Sequence, residues 1–300
     1  YNAYLHNSDT RRRCHPVILT YQTRLKGDYP VLQQHADYFS LVERKLHAQV
    51  AKGKSAGGCK KDFLTTYGLT GRQFNAIQRS YDGKIASIKE NTKRYVAETE
   101  RRIEATRKAI AKIEKQLVDG VKRKKVGGCW TEVKITAKDR KNSEFKLHQK
   151  RRLTTVLEHK LARHESNLAR KVPRICFGSG KLFHSQFNLE ANGYADHAAW
   201  LKDWQANRSS QFMTIGAHSE PGGSQTCAPS VGPDGTITLR LRVAPKFEGE
   251  HGKYVLIQGL KFGHGHAEIV TAVQAHKEKR GRAVSCRFVR DGISWRVFVS

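Results

Sequence analysis

The sequence has no run of about 18 apolar residues, so no segment reads as a bilayer-spanning helix, and no leader of the secretory kind opens it. Its six cysteines, Cys14, Cys59, Cys129, Cys176, Cys227 and Cys286, stand apart. No Cys-x2-4-Cys pair marks a structural zinc site, and the thiols read as reduced, in the cytosol. His264 and His266 in "GHGH" lack a third ligand nearby and mark a loop. There is no G-x-x-x-x-G-K-[ST] loop to cradle a nucleotide phosphate. No α/β alternation supports a core on which carboxylates converge on Mg²⁺, and no elbow or triad motif frames a nucleophile. The expectation is no catalytic centre, no bound metal or cofactor and no small-molecule substrate.

Acid is also scarce. Asp and Glu number 27 against 55 Lys and Arg, a surplus of +28 over 300 residues. No fold needs that surplus, because self-repulsion works against the compact state. A polyanion removes the cost, and a phosphate backbone is the commonest polyanion. Nucleic acid is the expected partner, with no membrane. The length suggests roughly two domains.

The chain opens basic and polar, then alternates in "VILTYQTRL", with Leu19, Tyr21, Thr23 and Leu25 on one face of a predicted strand. Phe39, Val42, Leu46 and Val50 mark a helix face, and "AKGKSAGG" reads as a flexible basic loop. From Cys59 the pattern is helical, with Gly68 as C-cap and Thr70 as N-cap. Phe74, Ile77, Tyr81, Ile85 and Ile88 begin an apolar stripe that continues every seventh residue at Val96, Ile103, Ile110 and Leu117. That spacing predicts a narrow seam against a partner helix. A second helix carries Leu153, Leu157, Leu161 and Leu168 after a turn at Gly127 and Gly128, which gives an antiparallel helical hairpin. Arg101, Lys108, Lys112 and Arg151 are among the bases beside these stripes. Two readings stand: a solvated coiled coil of mixed charge, or the walls of a positively charged channel.

Pro173 closes the second helix, and Trp200 and Trp204 sit four apart on a shorter one. After Phe212 the pattern turns to period two. Ile237, Leu239, Leu241 and Val243 alternate with Thr238, Arg240 and Arg242, and "AVSCRFVRDGISWRVFVS" reads as a hairpin with Ile293, Trp295, Val297 and Val299 on one face. The predicted class is α+β: a small antiparallel β-barrel, OB-like, interrupted by a long basic α-helical insertion. The predicted segments are 1–29, 30–172 and 173–300.

Three stretches mix the residue types that contact nucleic acid. "GRQFNAIQR" places Arg72, Gln73, Asn75 and Arg79 around a helix. They suit phosphates and base edges, or equally form an ordinary polar face. "RICFGSGKLFHSQF" interleaves Arg174 and Lys181 with Phe177, Phe183 and Phe187, a stacking composition, with at least two of the three rings expected in the core. "NRSSQF" supplies Arg208 and Gln211 for phosphate oxygens.

At "LTGRQFNAIQRSYDGKIASIKE", "RICFGSGKLFHSQFNLEANGYADHAAWLKDWQANRSSQF" and "GTITLRLRV…GKYVLIQGLKF…RFVRDGISWRVFVS" the sequence resembles the front half of the transposon-encoded TnpB family, and more loosely the type V CRISPR effectors. The resemblance implies an RNA-guided DNA endonuclease, prokaryotic, cytoplasmic and nucleoid-associated when on DNA. It implies a wedge barrel that holds guide RNA and a helical recognition domain that holds the guide–target heteroduplex. Arg72, Gln73, Asn75 and Arg79 would then lie in the recognition domain, and Arg174, Lys181, Arg208, Arg240 and Arg242 near the wedge. The family's catalytic carboxylates and zinc-ribbon cysteines follow the last wedge strand, so they map to no residue here, and the expected Mg²⁺ belongs with that later domain. The alternatives are an unrelated basic RNA-binding protein of a ribonucleoprotein particle, and a nuclease-lacking repressor directed by a guide.

Overall fold

The structure, a computed structural model, describes residues 19–126, 128–220, 223–277 and 283–300. In chain order the elements are β1 (Tyr21–Arg24), α1 (Pro30–Ala51), α2 (Lys60–Tyr67), α3 (Gly71–Asp119), β2 (Val121–Val126), β3 (Cys129–Lys134) and α4 (Ala137–Ala169). They continue with α5 (Gly180–His184), α6 (His197–Arg208), β4 (Gln211–Thr214), β5 (Cys227–Val231), β6 (Ile237–Arg242) and α7 (Glu248–His251). The last are β7 (Tyr254–Leu260), α8 (His266–Lys277), β8 (Cys286–Asp291) and β9 (Ser294–Val299). The class is α+β with antiparallel sheets and one very long helix, as the periodicities predict.

The chain divides into two compact units, one running to Ser80 and resuming at Phe177–Ser300, the other Tyr81–Cys176. The predicted insertion begins at residue 30, but α1, α2 and the first turns of α3 belong to the unit that holds the large sheets. The reason is the apolar face of α1: Leu32, Ala36, Phe39, Val42 and Leu46 are buried, and the Phe39 ring meets Phe212 of β4 edge-on at 5.8 Å.

In that unit one sheet has the order β1-β9-β8-β4 and another β5-β6-β7. β1 joins from far away in sequence, with Tyr21 opposite Val299 and Arg24 opposite Arg296. Val297, Phe288 and Phe212 fill the inner face of the first sheet, and Ile237, Leu239, Leu241 and Ile257 that of the second. Among the described residues the strands do not close into a barrel. The hydrogen-bonded ladder stops between β4 and β5, where a connection crosses over. Gly216 passes there against the backbone of Gly223 and Val284, with no room for a Cβ. Its N–H donates to Ser285 Oγ at 3.2 Å, and Val284 N–H donates to the Gly223 carbonyl at 3.1 Å. Two residues depart from the predicted strand faces. Leu19 lies before β1 and is exposed, and Ile293 stands fully exposed in the β8–β9 turn rather than beside Trp295.

The second unit is a helical hairpin bearing a two-stranded ribbon. Arg107 pairs with Glu158 at 2.6 Å and Arg151 with Glu114 at 2.7 Å, which sets α3 and α4 antiparallel. Val96, Ile103, Ile110 and Leu117 face the seam as predicted. The intervening row is Thr92, Thr99 and Thr106, seven apart and buried. Each threonine Oγ1 donates to the carbonyl four residues back at 2.7 Å, so burial leaves no hydroxyl unsatisfied. On α4 Leu157 is buried, but Leu153 is exposed and Thr154 takes its place on the seam. Thr136 and Asp139 cap α4 reciprocally.

Candidate nucleic-acid interface

α2 ends at Gly68, whose φ of 54° lets the chain reverse and start α3 within three residues. Thr70 and Gln73 form a capping box there. Thr70 Oγ1 accepts from Gln73 N–H at 3.3 Å, and Gln73 Oε1 accepts from Thr70 N–H at 3.0 Å. The remaining Gln73 amide N–H donates to the Arg242 carbonyl at 3.4 Å, which ties the start of α3 to the end of β6. Gln73 is buried. Its expected role as a reader of base edges is corrected: it positions, and both ends of its amide are committed.

That tie builds a groove. Period-two alternation turns Leu239 and Leu241 inward and Arg240 and Arg242 outward. Tyr254 opens β7 directly opposite Arg242. The Arg240 guanidinium lies 4.7 Å from the Tyr254 ring centre, with Arg242 at 5.8 Å and Lys253 Nζ at 5.9 Å. One aromatic ring is thus flanked by three cations. From the other wall come Lys60 of α2 and Arg72 and Asn75 of the first turns of α3, with Gln225 beside them. The groove is polar and has a volume of about 680 Å³. Arg72 pairs with the buried Glu220, whose second oxygen accepts from Gln225 N–H at 2.9 Å. Arg242 pairs with Glu248 at 3.2 Å, while its Nε is buried without a hydrogen-bond partner. The site can hold phosphate oxygens through its guanidinium and ammonium groups and present amides to sugar or base.

The structure therefore brings together Arg72, Asn75, Arg240 and Arg242 of the predicted residues. Arg79 is exposed further along α3, and Gln211 is exposed on β4, away from the groove lining. Lys60, Gln225, Lys253 and Tyr254 are members that sequence reasoning missed. The basic–aromatic doublet Lys253-Tyr254, where β7 begins, is the signal that marks those two, while Lys60 and Gln225 carry no local signal.

A second cluster in the same unit uses Lys181 and Arg208. Ser179 caps α5 through Leu182 N–H at 3.3 Å, and Trp200 Nε1–H donates to the Leu182 carbonyl at 2.7 Å. Phe183 packs against Trp204 at 5.3 Å, and the Arg208 guanidinium lies 5.6 Å from the Trp204 ring. The expectation that two of Phe177, Phe183 and Phe187 are core is wrong. Phe187 is 74% exposed, Phe183 is exposed and Phe177 half-buried. Phe183 packs on Trp204, Phe187 on Phe183 and Phe177 on His47, and these contacts leave Phe183 and Phe187 at the surface.

In the helical unit Arg101, Lys108, Lys112, Arg151 and Arg174 are all exposed. Lys108 pairs with Glu104 at 2.6 Å, and Arg151 with Glu114 as above. Such surface pairs contribute at most about 1 kcal/mol, so a phosphate can compete for them. The unit holds 27 Lys and Arg against 12 Asp and Glu. More than half the chain's surplus is concentrated there.

Among the described residues no three His, Cys, Asp or Glu side chains gather as a metal site, and no helix is long and apolar enough to cross a membrane. Cys59, Cys129, Cys176, Cys227 and Cys286 are unpaired thiols, and Cys14 lies outside the described residues. Cys286 beside it and complete burial push the Cys227 thiol well up. His266 is held by the Gly235 carbonyl at 2.9 Å, which accounts for one half of "GHGH" as structure. No protein-family model matches the chain, and no curated protein matches it.

Proposed function

We propose that this chain binds nucleic acid as the recognition part of a TnpB-like RNA-guided DNA-targeting nuclease, holding guide RNA and the guide–target heteroduplex. The observation that carries the binding is the groove lined by Lys60, Arg72, Arg242 and Tyr254, whose ring is also flanked by Arg240 and Lys253. Among the described residues, Glu220 pairs with Arg72 and Glu248 with Arg242. The guided reading is supported by the pairing of β1 with β9 while the helical unit intervenes in sequence. A split sheet with a helical insertion is the order that the resemblance implies for wedge and recognition domains. On this reading the two sheets are the wedge, and the exposed bases of α3 and α4 follow the phosphates of an A-form duplex without reading its sequence.

Affinity for an RNA–DNA heteroduplex over a salt series tests the proposal. Log K is expected to fall steeply with log salt, by roughly 0.9 per neutralised phosphate for duplex. Arg240→Ala with Arg242→Ala is expected to make that slope shallower. A flat dependence contradicts the proposal. Equal affinity for any structured RNA, with no preference for heteroduplex, favours a ribonucleoprotein structural role instead.

A further inference from the structure

The β2–β3 ribbon is a surface that the groove does not explain. It is a two-stranded sheet of its own, paired from Val121–Lys134 at its base to Val126–Cys129 at its tip. Every side chain of β3 is exposed. Trp130 is 69% exposed, whereas Trp200 is 3%, Trp204 8% and Trp295 8%. An indole in that position adds nothing to a core, and isolated two-stranded ribbons are marginal on their own. The ribbon is instead clamped at its root. Lys122 bonds Asp139 at 2.6 Å in the capped first turn of α4, and Ile135 N–H donates to the Gly120 carbonyl at 2.9 Å.

The surroundings of Trp130 specify what it meets. Lys125 is its direct cross-strand partner, and Arg123 and Lys134 lie on the same ribbon face by register. Between residues 121 and 134 there are five Lys or Arg and one carboxylate, Glu132. That charge suits a phosphate backbone. Inside an intact duplex the base faces are covered by their neighbours, so an indole finds a π-face only on an unpaired or terminal base.

We propose that the β2–β3 ribbon is a contact for unpaired nucleic acid, in which Trp130 stacks on a base and Arg123, Lys125 and Lys134 hold the flanking phosphates. The inference rests on the reading that the chain binds nucleic acid, and it adds a site outside the groove and a preference for unpaired bases.

Trp130 reports on itself, because the other three indoles are buried. The full chain is titrated with one sequence as single-stranded RNA, the same sequence as single-stranded DNA, and a relaxed closed-circular duplex, with acrylamide quenching of tryptophan emission and affinity measured in parallel. Both single strands are expected to protect the indole from acrylamide. Trp130→Ala is expected to lower single-strand affinity roughly tenfold while Trp130→Phe keeps most of it. Closed-duplex affinity and thermal unfolding are expected to be unchanged in both variants. Protection by only one of the strands identifies RNA or DNA as the source of the base and supports the proposal for that source. Tight binding with Trp130 still open to acrylamide, or with Trp130→Ala equal to wild type, overturns the ribbon proposal alone. Failure to bind any nucleic acid overturns the reading beneath it. Concentration-dependent protection without nucleic acid assigns the ribbon to self-association and overturns it too.

Discussion

Gln73 shows how one side chain can serve the site without touching a ligand. It caps α3, is buried and holds the Arg242 carbonyl. Gln73→Ala is expected to lower stability by about 1–2 kcal/mol in urea unfolding, through the lost cap and the unsatisfied groups left behind. Tyr254→Ala is expected instead to lower affinity roughly tenfold with little change in unfolding. Nothing in "GRQFNAIQR" separates the buried amide from the exposed arginines beside it, because the cap depends on where the helix starts and the tie on a residue 169 positions away. His35 was equally invisible. Its Nε2 accepts from Ala244 N–H at 3.0 Å, its Nδ1 has no partner, and burial, with His251 adding to it, holds its pKa down to about 4 from 6.5. The unfolded chain therefore binds a proton that the folded chain refuses. Stability from this group is complete above pH 6.5 and is lost on acidification towards pH 4, by up to about 3 kcal/mol. Comparing unfolding at pH 7 and 4.5 checks this: His35→Gln is expected to lose less on acidification than wild type, and parallel losses would refute the assignment.

At the scale of elements, period and turn chemistry carried the reading a long way and then stopped for physical reasons. Gly68 and Thr70 marked the α2–α3 junction because a positive φ and a capping hydroxyl have few alternative residues. The seam of α3 was half legible. Val96, Ile103, Ile110 and Leu117 register as apolar, while Thr92, Thr99 and Thr106 register as polar although they are buried. Thr99→Val keeps the shape, removes a hydroxyl that bonds only its own helix, and is expected to raise stability by roughly 0.5–1 kcal/mol in thermal unfolding. The strands were legible as strands, but closure was not. Alternation says which face is inward and is silent on which edge finds a partner, so two sheets and an expected barrel share one pattern. Ile293 fits the alternation of β9 and is nonetheless a turn residue, since Asp291-Gly292 fixes the turn one residue later than the apolar pattern suggests.

For the whole molecule, charge is the dominant fact and the one most legible from composition. The surplus of +28 has a location: the helical unit of Tyr81–Cys176 holds more than half of it, and Lys60, Arg72 and Arg242 of the other unit line the groove at Tyr254. The division between units was not legible at residue 30, because α1 carries an ordinary amphipathic pattern, and only packing decides which unit it joins. On the proposed function these cations hold one particular RNA and the DNA that pairs with it. Sequencing the RNA that stays on the purified chain through a moderate-salt wash tests it most directly. One dominant class is expected, with a constant scaffold joined to a guide segment. A heterogeneous mixture reflecting cellular abundance, or no RNA at all, would contradict it.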